Sequence, residues 1–143
     1  MKEFERDYAA FKEIDEAYQS ATDEAGKEAA RADYKAWAES IEAKGKAYAD
    51  TFRIYKDARD NGNDLLNISE PWQTRDVAGL IANLKAFGVT EFTFSSSWSG
   101  AVNTSWEFLQ NGCELAGMTE VYNGLTDWHM NRETTPAYLF RIK

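Results

Sequence analysis

Hydrophobic positions along the first sixty residues repeat every three or four places. Phe4, Tyr8, Phe11, Ile14 and Tyr18 fall on one face of a helix. After Ser20 and Thr22, which can cap a new helix, the repeat resumes with Ala30, Tyr34, Trp37, Ile41, Lys44, Tyr48, Phe52 and Tyr55. Gly45 interrupts it and predicts a kink; the run Asn61 to Asp64 ends it. The pattern therefore predicts a helical hairpin over residues 1–64, with a short arm folded on a longer one. Its seam is aromatic. Two readings stay open: the rings pack the arms together and onto the rest of the chain, or one stripe remains exposed for a partner or a second copy.

From residue 65 the periodicity changes, and the second domain is predicted over 65–143. Pro71 forbids a helix through the connection. Thr74 can cap a helix carrying Val77, Leu80, Ile81, Leu84 and Phe87, and Gly88 stops it. Thr90, Phe92 and Phe94 alternate with Glu91, Thr93 and Ser95, which predicts a strand with one apolar face. A helix follows from about Gly100 to Asn111, with Val102, Trp106 and Leu109 expected inward. A second strand is expected over Cys113 to Tyr122, bulged at Gly117, where the alternation slips between Leu115 and Met118. A third runs from Ala137 to Ile142. The expected fold class is α+β: the hairpin, then a compact α-β-α-β-β unit with a small mixed three-stranded sheet. The first two strands should be parallel through a right-handed crossover, the last two antiparallel, with helices covering mainly one side.

Composition narrows the function classes. Sixteen basic residues against 24 acidic ones give a formal charge of −8, spread without a dominant block. Direct binding to a nucleic-acid backbone, which needs clustered cations, is not expected. Competition with nucleic acid for a basic groove is compatible with that charge. The single cysteine, Cys113, leaves no disulfide framework and reads as a structural thiol. One histidine and dispersed acids make a metal site hard to assemble, and no metal or cofactor is expected. No segment approaches the roughly 18 apolar residues of a membrane span, and the charged N-terminus has no apolar core of a leader; the expected location is the cytoplasm.

Two stretches are candidate sites. The turn from Ser95 to Gly100 precedes a helix N-terminus, where free amides favour an anion. Ser96, Ser97, Ser99 and Gly100 could cradle a phosphate-bearing ligand, although no P-loop lysine follows and plain helix capping explains the same hydroxyls. The long connection from Asn123 to Pro136 carries Asp127, Trp128, His129, Met130 and Arg132. Tryptophan, methionine and arginine are over-represented at recognition surfaces, so these five residues are candidate partner contacts. The alternative is a loop whose Trp128 tucks under the domain. No nucleophile elbow surrounds His129, Cys113 or the serines, so no catalytic residue is assigned and the chain is not expected to be an enzyme. Glu120 and Asp127 are the only suggestion of paired carboxylates.

The run from Glu91 to Cys113, the ending from Pro136 to Ile142, the segment Glu70 to Trp72 and the helix start at Arg75 resemble a family of uncharacterised proteins. Its members occur on phages and conjugative elements of Gram-positive bacteria. The resemblance covers about the second half of the chain and carries no catalytic residue. It implies a setting in which small acidic proteins act as counter-defence factors, anti-CRISPR inhibitors among them. The expected function is a non-enzymatic inhibitor that binds a host nuclease complex and blocks its nucleic-acid-binding surface. The alternatives are a small phosphate- or nucleotide-binding domain or enzyme using the Ser95–Gly100 turn, or a scaffold that dimerises through the helical arm.

Overall fold

The computed structural model describes residues 1–95 and 100–143. The fold is α+β, with helices first and a mixed four-stranded sheet after them. The chain divides into two compact units, Met1–Phe52 and Arg53–Lys143, and the boundary falls within a helix.

The first unit holds α1 (Lys2–Ser20), α2 (Glu24–Glu42) and the start of α3 (Lys46–Asn61). The single long second arm expected from the periodicity is two helices. Gly45 does more than kink the chain: with φ at +104° it takes the left-handed backbone that ends a helix, and α3 starts anew at Lys46. Asp23 caps α2 by accepting from Gly26 N at 2.8 Å. One residue of α1 ties the three helices together. Asp7 Oδ2 accepts from Lys44 Nζ at 2.7 Å and from the Tyr48 hydroxyl at 2.5 Å, and the Asp7 carbonyl accepts from Trp37 Nε1 at 3.0 Å. Around this knot Phe4 packs 4.9 Å from Tyr48 and 5.9 Å from Phe52, ring centre to ring centre.

The second unit adds β1 (Asn67–Ile68), a single 3-10 turn at Pro71–Thr74, α4 (Val77–Ala86), β2 (Glu91–Phe94), α5 (Ala101–Gln110), β3 (Cys113–Thr126) and β4 (Arg132–Ile142). Asp76, rather than Thr74, caps α4, accepting from Gly79 N at 3.0 Å. The strand order is β1-β2-β4-β3. The sheet thus has four strands instead of three, because β1, only two residues long, pairs parallel to β2. The strands β2 and β3 run parallel to each other, as expected, but they are not neighbours. β4 is inserted between them, antiparallel to both, with Phe92 opposite Phe140 and Phe94 opposite Tyr138. The bulge expected near Gly117 is present: the register slips between Leu115, opposite Phe140, and Gly117, opposite Leu139.

The core is a ring cluster. Phe108 of α5 lies 5.1 Å from each of Phe92, Phe94 and Phe140, and all four are buried. That orientation turns Thr104 and Phe108 inward. Val102, Trp106 and Leu109, expected inside, face solvent, with Val102 81% exposed. The opposite face of β2 is covered too. Thr93 and Ser95 are buried, and Asn67 satisfies them: Thr93 Oγ1 donates to Asn67 Oδ1 at 2.7 Å, and Asn67 Nδ2 donates to Ser95 Oγ at 3.0 Å.

The knot at Asp7 has a titration signature. Burial, and then the hydrogen bond to Asp7, push the Tyr48 phenol well above its usual range. Below the unfolded value of about 10 both states are protonated, so the contribution is fully present; above it the unfolded chain ionises first and stability is lost as pH rises. Tyr48→Phe should therefore cost about 1 kcal/mol at neutral pH and flatten the fall in stability above pH about 10. Urea titrations at several alkaline pH values check this, and an unchanged alkaline slope in the variant would contradict it.

Candidate interaction site at the hairpin tip

The segment expected to be a long connection is mostly strand. β3 continues to Thr126 and β4 begins at Arg132, leaving a five-residue loop, Asp127 to Asn131. Asp127 organises it. Its backbone N donates to Asn131 O at 2.8 Å, and its carbonyl accepts from Met130 N at 3.0 Å. Its Oδ1 accepts from both His129 N and Asn131 N at 2.9 Å. A side chain that copies the turn's own hydrogen bonds is what aspartate does well at such positions. The closure places Met130 at φ +66°, the one non-glycine with positive φ among the described residues.

Three apolar side chains project from this frame. Trp128 is 87% exposed, Met130 80% and Leu125 61%. The Trp128 and His129 rings lie against each other with centroids 3.7 Å apart. The alternative in which Trp128 tucks under the domain is not what the structure places. Asp127 is half-buried and devoted to the loop, so its role is positioning.

Arg132, the fifth candidate, is held from below. Its guanidinium sits 4.0 Å from the centre of the Tyr122 ring. The end of α3 meets the same spot. Gly62, at φ +88°, lies so close to Arg132 Nη1 that any Cβ there would collide with it. The next residue, Asn63, pairs with the outer edge of β3. Its Nδ2 donates to Tyr122 O at 2.9 Å and its Oδ1 accepts from Tyr122 N at 2.9 Å. The amide thereby acts as one rung of a strand ladder and blunts a free sheet edge. Asn61 lies beneath Gly124, where a Cβ would be 2.8 Å from Asn61 Oδ1. Sequence reasoning read Asn61, Gly62 and Asn63 only as a helix stop. Nothing local in the sequence shows that they brace a strand some sixty positions later.

The remaining candidates stand apart. Ser96, Ser97 and Ser99 lie outside the described residues, and Gly100 is the N-cap of α5 without a side-chain cap. Cys113 is buried as the first residue of β3, and burial pushes its thiol up, away from the reactive thiolate. Glu120 receives only a long contact from Thr134 Oγ1, at 3.4 Å. Among the described residues no group of three or more His, Cys, Asp and Glu side chains could hold a metal, and no helix is long and apolar enough to cross a membrane.

The fold and the tip define an α+β domain whose most distinctive exposed feature is a braced hairpin with an apolar end. Residues 50–142 match the model of a domain of unknown function, DUF7698, and the chain belongs to that family. No curated protein and no solved structure matches the chain.

The geometry separates the tip from its brace. Trp128→Ala should leave the melting temperature within about 1 °C of the parent, since so exposed a ring contributes little to folding. Gly62→Ala should lower it by several degrees, through strain at positive φ and displacement of Arg132. Differential scanning calorimetry of both variants checks this pair; a large loss from Trp128→Ala would return that ring to the core.

Proposed function

We propose that this chain is a non-enzymatic interaction protein that docks a protein partner through the β3–β4 tip. The observation that carries the reading is the exposure of Trp128 and Met130 on a loop whose backbone is already set by Asp127, with exposed Leu125 at the adjoining end of β3. Large apolar side chains gathered at one projecting point favour a partner that covers them. A loop already in its bound shape loses little entropy on docking. Glu120 and Glu133 are exposed on the same hairpin, so the fitting acceptor is an apolar pocket with basic side chains around it.

The specific form of this reading is a counter-defence inhibitor of the anti-CRISPR type, acting in the cytoplasm of a Gram-positive host. In that form the partner is a host nuclease complex, and the protein occludes its basic nucleic-acid channel. The net charge of −8 and the resemblance to proteins of mobile elements support it.

The experiment is inhibition of a purified CRISPR nuclease complex from such a host, with the parent protein and with the Trp128→Ala/Met130→Ala double variant. The parent should block target cleavage, and the variant should need about thirtyfold more protein, the equivalent of about 2 kcal/mol. Binding by the parent should weaken as salt rises from about 0.05 to 0.5 M, because screening shortens several-fold. Equal potency of parent and variant would remove the tip from the interface. Absence of both binding and inhibition across the CRISPR types of the host would reject the counter-defence form.

A further inference from the structure

The first unit has an aromatic seam that its own helices leave half covered. Along α1 and α2 the buried residues are Phe4, Ala30 and Ile41. Phe4 and Ile41 belong to the end where Tyr48, Ala49 and Phe52 of α3 are also buried. Toward the turn that joins α1 to α2, Ala30 alone is buried. The rings form a continuous series across this divide. Phe52 lies 5.8 Å from Trp37, Trp37 5.2 Å from Phe11, and Phe11 6.3 Å from Tyr34, which is 48% exposed. Two helices make one layer, and a layer with an apolar face is stable when a second layer covers it.

Next to Tyr34 the two helices leave an open groove of about 290 Å³, lined by Phe11, Ile14, Tyr18 and Ala30. Two opposite charges stand in its lining, Asp15 from α1 and Arg31 from α2. Asp15 is half-buried and has no ion pair among the described residues. Arg31 is exposed, 3.8 Å from exposed Glu24 and 5.6 Å from the centre of the Tyr18 ring, with the Tyr18 hydroxyl as a side-chain hydrogen-bond partner. The patch therefore contains a knob, a hole, a cation and an anion together. A two-fold interface needs that combination, because whatever one copy presents the other must accept.

We propose that the occupant of this groove is a second copy of the chain, docked about a two-fold axis to give a four-helix bundle from two α1–α2 hairpins. Tyr34 of each copy enters the groove of the other, and Arg31 of each meets Asp15 of the other. The charge layout argues for self-pairing against a uniformly basic partner helix, which would satisfy Asp15 and repel Arg31. Residues 1–49 lie outside the stretch that matches the family domain, and the proposal does not rest on the tip of β3 and β4.

Sedimentation velocity on the full chain, from about 1 to 200 micromolar, tests the proposal. The parent should dimerise in that range. Tyr34→Glu, Asp15→Arg and Arg31→Asp should each weaken the dimer about tenfold or more, with unchanged far-ultraviolet circular dichroism. Combining Asp15→Arg with Arg31→Asp should restore it to within about threefold, since the two-fold partner then presents the opposite charges. A parent that stays monomeric throughout overturns the proposal, and so does a dimer that ignores all three substitutions. A double variant no tighter than the singles also overturns it. Should Asp15→Arg lose helix content, Tyr34→Glu and Arg31→Asp, both at exposed positions, still decide whether this face is the interface.

Discussion

Phe108 is the residue on which the second unit depends. It is the one large side chain that α5 drives into the sheet, and it touches rings from β2 and from β4 at equal distances of 5.1 Å. Each ring buried in such a cluster contributes roughly 1.5–3 kcal/mol relative to exposure. Tilted and edge-on contacts add somewhat more. Three elements separated along the chain thus meet at one point, and the geometry of that point determines much else. It selects the face that α5 presents to the sheet, and it requires Phe140 to sit beside Phe92. That requirement places the last strand in the interior of the sheet, so the core closes only when the C-terminal strand is in place. High sequence separation of this kind slows folding relative to local pairing.

Much of this was legible in the residue pattern, and what escaped it has identifiable causes. Strong helices with apolar stripes and glycine stops, such as α4 ending at Gly88, were readable because the signal is local. So was the bulge beside Gly117, where alternation breaks within three residues. The face of α5 was misread because two stripes satisfy the same period. Val102, Trp106 and Leu109 form the more apolar one, yet Thr104 and Phe108 are inside. Periodicity identifies a helix; only the shape of the opposing sheet chooses between stripes. The insertion of β4 is likewise nonlocal, and β1 is too short to carry any period.

The residue pattern understates the length of the hairpin for a different reason. Residues 122–126 and 132–135 are half-buried or exposed, and their polar, turn-forming side chains look like loop. Strand here is maintained from outside by the amide of Asn63 and by Arg132 over Tyr122, not by a buried face. Among the five proposed contact residues, the same distinction divides the roles. Residue type alone marks Arg132 as an interface anchor and Asp127 as a rim charge. Their partners in the fold make one a brace and the other a turn former, while Trp128 and Met130 are left with no such duty.

That division bears on what the tip can do. A flexible loop carrying the same tryptophan would lose most of its docking energy to ordering, at about 1–2 kcal/mol per backbone residue fixed. Here the ordering is done by folding: Asp127 holds the backbone of His129 and Asn131, and the left-handed strain at Met130 is sustained by the closed loop. Below it, the α3 terminus at Gly62 and Asn63 resists twisting of the strands that carry the loop. An edge strand as long as β3 would ordinarily invite pairing with other chains. Its bulge, its glutamates at positions 114 and 120 and the Asn63 rung all oppose that. The consequence is a hairpin whose outer edge is blunted and whose end is apolar.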